Sequence, residues 1–280
     1  MISRSRRLWQ TSPLTYLALV MALALSVFPI YWMFTIATRT NDSINDVPPH
    51  LLPGANFGAN TGRVFANDHA AFLYGLMNSI IVAGAVTVSV VFFSSLAGFA
   101  FAKLKFRGRN AMLMIIIGTM MVPVQLGLIP LYMMMVKFGW NGELKSVIVP
   151  FMVTGFGVFM MRQYAGQAIS DELIEAARVD GSSTFRIYWS VVMPVLRPAA
   201  AVLGLLTFMQ NWNEFLIPFT LLNQDTPTVQ LSLSLLATAY YTDYAQVFAG
   251  TAIATLPLLV VFIVFGRQII SGIMEGAVKS

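Results

Sequence analysis

The chain has 280 residues, of which 57% are hydrophobic and only 10% charged, and its mean hydropathy is +0.73. Those values exclude a water-soluble globular domain, whose surface draws on about 25% charged residues. The formal net charge is +5 and cysteine is absent, which excludes disulfides, thiolate nucleophiles and cysteine-based metal sites.

A hydrocarbon core about 30 Å thick is crossed by roughly 20 apolar helical residues. Six segments qualify, so the expected fold is an all-α integral membrane protein. In chain order they lie near Pro13 to Thr38, Tyr74 to Ala102, Ala111 to Val136, Ser146 to Met161, Ala199 to Leu222 and Val247 to Phe265. The first apolar run follows Arg4, Arg6 and Arg7 but is too long for the core of a cleavable leader. The expected organisation is an N-terminal tail over 1–12, a first span with a long outer loop over 13–73, a core of five spans over 74–270 and a tail over 271–280.

With the N-terminus inside, thirteen Lys and Arg residues fall on inner segments, and only Arg39, Arg63, Lys137 and Lys145 fall outside. This bias places both termini in the cytoplasm, together with the loop from Arg162 to Pro198. Basic residues at membrane ends need no nucleic-acid partner. The outer segment Asn41 to Leu73 holds Pro48-Pro49 and both histidines, His50 and His69, and reads as irregular surface with one short helix. The last outer loop, Asn223 to Gln246, has no Lys or Arg and carries Tyr240, Tyr241 and Tyr244. Those tyrosines suit either an interfacial belt or contact with an external partner.

The inner loop is the only long stretch where acids and bases gather between apolar spans. Ser170 fits a helix N-cap, and Asp171 and Glu172 suit the positive end of a helix. Leu173, Ile174 and Ala177 are expected on one face, with Glu172, Glu175 and Arg178 on the other. Gly181 is placed to end the helix in a left-handed conformation. A second short helix is expected from Ser182 or Ser183, presenting Phe185, Tyr188, Trp189 and Val192 before Pro194. Two short helices at an angle make a knob for a soluble partner to grip.

The run Glu175-Ala176-Ala177, three residues, Gly181, nine residues, Val191, one residue, Met193-Pro194 is similar to the EAA loop of the membrane subunits of ATP-binding-cassette importers. Val191 and Met193 stand where that family usually has Ile and Leu, conservative departures. Asn78-Ser79, Met121-Val122-Pro123, Ile129-Pro130, Trp212-Asn213-Glu214-Phe215 and the ending Gly276-Ala277-Val278-Lys279 resemble its carbohydrate-uptake branch, in particular the maltose-type second permease. The resemblance covers nearly the whole chain. It implies a type I importer permease fold in a prokaryotic plasma membrane, paired with a homologous permease, two cytoplasmic ATPase subunits and an external sugar-binding protein. ATP and Mg then belong to the ATPase subunits, and this chain is non-catalytic and binds no cofactor or metal. Glu175, Ala176, Ala177, Asp180, Gly181 and Pro194 become the ATPase-coupling residues, and a disaccharide or short oligosaccharide the expected cargo.

The nearest approach to a phosphate loop, Gly139 to Ser146, lacks the Gly before Lys145 and lies on the outer side. Polar residues inside spans are costly and often functional. Asn78, Ser79, Gln210, Asn211, Asn213 and Glu214 are therefore candidates for a sugar path, or for interhelical and subunit contacts. An ion-coupled secondary carrier is the alternative function, with Glu214 as its single clear coupling residue. A channel or membrane enzyme has less support, since both histidines lie outside and no nucleophile has a partner at a useful spacing.

Overall fold

The computed structural model describes residues 12–237 and 242–277, with residues 267–277 described by backbone alone. Tyr240, Tyr241, the N-terminal arginines and Val278-Lys279 lie outside the described residues. The all-α class is as expected, with a single isolated β-bridge, Ala237 to Thr242, among the described residues. Five described helical segments are long and apolar enough to cross a membrane: Pro13–Ala37, Phe72–Lys103, Lys145–Ala168, Thr184–Trp212 and Tyr244–Gly266. A sixth crossing is available from Arg109–Thr119 and Val124–Lys137, which meet at a bend of 88°. The expected unbroken third span is thus broken. A residue ahead of a proline is disfavoured in the helical region, and Pro123 has no N–H to continue the first helix.

The chain divides into two units, Met1–Asn67 with Leu236–Ile253, and Asp68–Leu235 with Ala254–Ser280. In the first, α1 (Pro13–Ala37) starts at the Ser12 cap, whose Oγ accepts the Leu14 N–H at 3.1 Å. Two short helices follow where one was expected, α2 (Asn41–Ile44) and α3 (Phe57–Phe65). The buried Asn60 amide ties α3 to the end of α1, donating to Ala37 O at 2.8 Å and Arg39 O at 2.7 Å. Arg63 pairs with Asp243, and Gln246 donates to Arg63 O at 2.9 Å. The outer loop is therefore pinned by its own polar groups.

The second unit is built around α4 (Phe72–Lys103). The remaining helices are α5 (Arg109–Thr119), α6 (Leu128–Lys137), α7 (Lys145–Ile148), α8 (Gly155–Ala168), α9 (Asp171–Val179), α10 (Thr184–Ile187), α11 (Met193–Trp212), α12 (Leu216–Leu221), α13 (Val229–Leu236) and α14 (Tyr244–Ala277), which continues from the first unit. α4 packs against both α8 and α11. Small residues permit the approach to α8: a Cβ on Gly98 would stand 2.7 Å from the backbone of Met161 and Arg162, and one on Gly157 would stand 2.4 Å from Ser94 Oγ. Such seams are how membrane helices gain contact, because lipid supplies no hydrophobic drive between them. Just ahead of α11 the seam carries a polar pair, Ser95 Oγ to Tyr188 OH at 2.7 Å, both residues fully buried.

The fifth span departs furthest from expectation. It begins at Thr184, passes through a π-helical turn at Tyr188–Val192, and continues as α11 through Pro194 and Pro198 to Trp212. In that turn Met193 N–H reaches back to Tyr188 O. The longer reach widens the helix just where the prolines remove donors. The span then stops at Asn213, short of the expected Leu222, and restarts as α12. The inner loop is correspondingly shorter than Arg162 to Pro198, because α8 runs to Ala168 and the fifth span already begins at Thr184.

Candidate functional site

The inner loop folds as the local chemistry dictates. Ser170 has extended backbone and its Oγ accepts the Leu173 N–H at 3.4 Å, starting α9. Ile174 is buried in the core cluster with Ile169 and Ile187. α9 ends at Gly181, where φ is +76°. Gly181 N–H bonds Arg178 O at 2.9 Å and Ser182 N–H bonds Ala177 O at 3.0 Å, the paired bonds of a Schellman stop. Ser183 caps α10 through the Arg186 N–H at 3.3 Å. Both expected caps and the glycine stop are therefore present.

One side of α9 is anchored and the rest is offered outward. Glu175, Ala176, Arg178, Val179, Asp180 and Gly181 are exposed, and Ala177 is partly buried. Leu173, expected on the inner face, remains 43% exposed. Phe185 and Trp189 extend the exposed apolar surface, in edge-to-face contact at 6.2 Å. Tyr188 and Val192, expected on the knob, are buried instead, and Pro194 belongs to the first turn of α11.

A contact absent from the sequence reading fixes the start of α9. Lys103 Nζ, at the C-terminus of α4, donates to Asp171 Oδ1 at 2.7 Å. That bond and the Lys103 charge hold the Asp171 carboxyl below the usual carboxylate range. Glu172 is lowered too, by the hydrogen bond of its own backbone N–H and by Ser170. A carboxylate whose folded pKa is depressed stabilises the fold above its unfolded pKa, and that contribution is lost as pH falls through the folded value. Protection of the first α9 amides, followed by hydrogen exchange corrected for intrinsic rate, is therefore expected to stay level down to the unfolded carboxylate range near pH ~4, and to decline below it. In Lys103→Met the protection at neutral pH should be lower and the decline below that range smaller, because the folded carboxyl then titrates closer to its unfolded value. Identical profiles would show that Lys103 does not hold this helix.

The intramembrane candidates separate into two groups. Asn78 Nδ2 donates to Pro227 O at 2.9 Å, and Ser79 Oγ accepts the Val229 N–H at 2.8 Å, so α4 holds the start of α13. Asn213 Nδ2 turns back to Met209 O at 2.8 Å. Gln210, Asn211 and Glu214 instead line a cavity of about 540 Å³, together with Gln125, which the sequence reading did not select. Glu214 Oε1 also accepts the Ile217 N–H at 3.2 Å, capping α12 across the break. The Gly139 to Ser146 segment is engaged locally: Lys145 pairs with Glu143 at 2.6 Å, and Gly142 N–H bonds Leu221 O at 2.8 Å.

A protein-family model described as binding-protein-dependent transport system inner membrane component matches residues 91–273. The chain belongs to this family. The permease is 35% identical over 265 residues to the lactose transport system permease protein LacG of Rhizobium radiobacter, covering 94% of this chain and 95% of that one. It is 30% identical to the arabinooligosaccharides transport system permease protein AraQ of Bacillus subtilis, with 91% of each covered. It is 26% identical to the sn-glycerol-3-phosphate transport system permease protein UgpE of Yersinia pestis, covering 93% and 95%. Among solved structures, a chain of a bacterial ABC transporter involved in the import of the acidic polysaccharide alginate superposes with a TM-score of 0.78 at 24% identity, covering 95% of this chain and 98% of that one. The fold is that of an importer permease embedded in the membrane, and the reading as an ion-coupled carrier built on Glu214 has no support.

Proposed function

We propose that this permease forms half of the translocation path of an ATP-driven sugar importer. It pairs with a homologous permease, two cytoplasmic ATPase subunits and an external sugar-binding protein, with both termini and α9 on the cytoplasmic side. ATP and Mg are held by the ATPase subunits. Two of the relatives named above are, by name, lactose and arabinooligosaccharide permeases, and the proposed cargo is a disaccharide or short oligosaccharide.

The observation that carries the coupling proposal is the exposed, firmly stopped α9. Ile174 and the Lys103–Asp171 pair seat it on the membrane core, while Glu175, Ala176, Ala177, Asp180 and Gly181 face outward or flank the stop. Alanines permit close backbone approach and Glu175 offers a carboxylate to a donor. Pro194 contributes at one remove, by setting the π turn that joins the loop to α11. When ATP draws the ATPase subunits together, a docked α9 moves with them and carries α4 and α11 as rigid rods, which alternates access. The whole transporter in proteoliposomes should take up sugar only with internal-leaflet ATP and binding protein both present. Uptake that follows an ion gradient without ATP would overturn the proposal.

A further inference from the structure

The cavity beside α11 carries a chemistry that distinguishes among the cargoes of the permease's relatives. Thr207, Gln210 and Asn211 are spaced i, i+3 and i+4 on α11, so one stripe near the end of the helix is polar and faces the cavity, and Glu214, just past the helix end, lines it too. Gln125 reaches the same space from the break between α5 and α6. The opposite wall is apolar, with Val82 and Val86 of α4 and the ring of Phe151. Val82 and Val86 lie ten and fourteen residues into α4, about 15–21 Å from its start at 1.5 Å per residue. At about 540 Å³ the space falls inside the ~300–1,000 Å³ range of small-molecule sites.

Hydrogen-bonding capacity is left over there. The side chains of Gln125 and Gln210 have no hydrogen-bond partner among the described residues, so each presents a full amide. Asn211 uses one N–H on Thr207 O at 2.9 Å and keeps its carbonyl. Glu214 uses one oxygen on Ile217 N–H. Amide donors and acceptors beside a carboxylate match vicinal hydroxyls, and an aromatic ring matches the apolar face of a pyranose. Among the described residues no Lys, Arg or His lines the cavity. A phosphate or carboxylate entering it meets Glu214 with nothing to neutralise either charge.

We propose that this cavity is a subsite for an uncharged sugar, carried on this chain itself and closed to phosphate esters and uronates. The proposal rests on the importer reading and narrows it: this permease then differs in cargo from the glycerol-phosphate relative and from the alginate importer, whatever its binding protein admits. Against a charged analogue of similar size the subsite should discriminate by on the order of 100-fold, since like charges about 5 Å apart repel appreciably at the effective dielectric of about 20 found near protein surfaces.

Two measurements on the assembled transporter test it. Gln210→Leu and Gln125→Leu keep bulk and remove the amide, and each should raise the sugar concentration for half-maximal ATP-driven uptake about tenfold. Because the chain has no cysteine, Gln210→Cys supplies the single thiol of this subunit. Its labelling by a small maleimide, without binding protein, should be slowed by millimolar lactose or an arabino-oligosaccharide and not by glycerol 3-phosphate. If the wild-type complex imports sugar, unchanged half-saturation in both Leu variants with no protection by any sugar would overturn the subsite alone. Protection by glycerol 3-phosphate would overturn the ligand class. Failure of wild-type ATP-driven sugar uptake would overturn the importer reading, and the subsite with it.

Discussion

Gly98→Leu should destabilise the permease by about 3 kcal/mol, at the upper end of what overpacking costs, while Gly84→Leu on the same helix should be nearly silent. The two glycines sit fourteen residues apart on α4 but meet different surroundings. A Cβ on Gly98 would lie 2.7 Å from Arg162 N, Met161 C and Met161 Cβ, whereas one on Gly84 has nothing within 4 Å. Two of the three Gly98 neighbours are backbone, so no rotamer change relieves the clash and α8 must withdraw as a body. Withdrawal also loosens Gly157 from Ser94 on the same seam. Contact between membrane helices rests on packing and hydrogen bonds, so separation is not offset by hydrophobic burial elsewhere. Thermal unfolding in detergent, followed by tryptophan fluorescence, should show a large drop in midpoint for Gly98→Leu only. Equal midpoints would mean that α4 and α8 are not held by this close approach. At Gly84 the milder change to alanine should raise stability by about 0.5–1 kcal/mol, the usual gain from removing a mid-helix glycine.

The elements that were legible in the sequence are those whose cause is local. Ser170 and Gly181 bound α9 because a hydroxyl acceptor and a residue free to adopt positive φ act within a few residues of themselves. Span number follows from hydropathy, which needs no partner either. What the sequence concealed is tertiary. Asn78 and Ser79 look like polar liabilities inside a span, yet they are consumed by Pro227 and Val229, about 150 positions away. Lys103 reads as one more inner-side cation, and its pairing with Asp171 depends on α8 returning the chain to the end of α4. Pro194 and Pro198 read as punctuation. The π turn before them absorbs the missing donors, so the helix continues and the fifth span shifts toward the N-terminus by more than a turn at each end. Within the polar stripe of that span, spacing alone places Gln210, Asn211 and Glu214 together. Gln125 joins them only because the third span is broken at Pro123.

Glu175→Lys should lower sugar uptake at least tenfold, equivalent to about 1.4 kcal/mol, while leaving the fold intact. Glu175 is exposed and its carboxylate has no hydrogen bond or ion pair among the described residues, so a surface change there should stay within about 0.5 kcal/mol of wild-type stability. A large loss of uptake therefore has to arise at a partner surface. Gly181→Val provides the second arm. Space around Gly181 is open, so the cost of valine is conformational, about 1–2 kcal/mol for forcing a β-branched residue to φ near +76°. Relief comes by unwinding the Schellman stop, which re-aims α9 relative to α10. Gly181→Asn tolerates the same conformation and should retain most uptake, which separates a backbone requirement from a steric one. ATP hydrolysis should persist in the impaired variants without matching sugar uptake, because each site keeps its chemistry while the element that links them is loosened. Normal uptake in both Glu175→Lys and Gly181→Val would place the ATPase contact elsewhere, and the exposed Phe185 and Trp189 would then be the surface to probe.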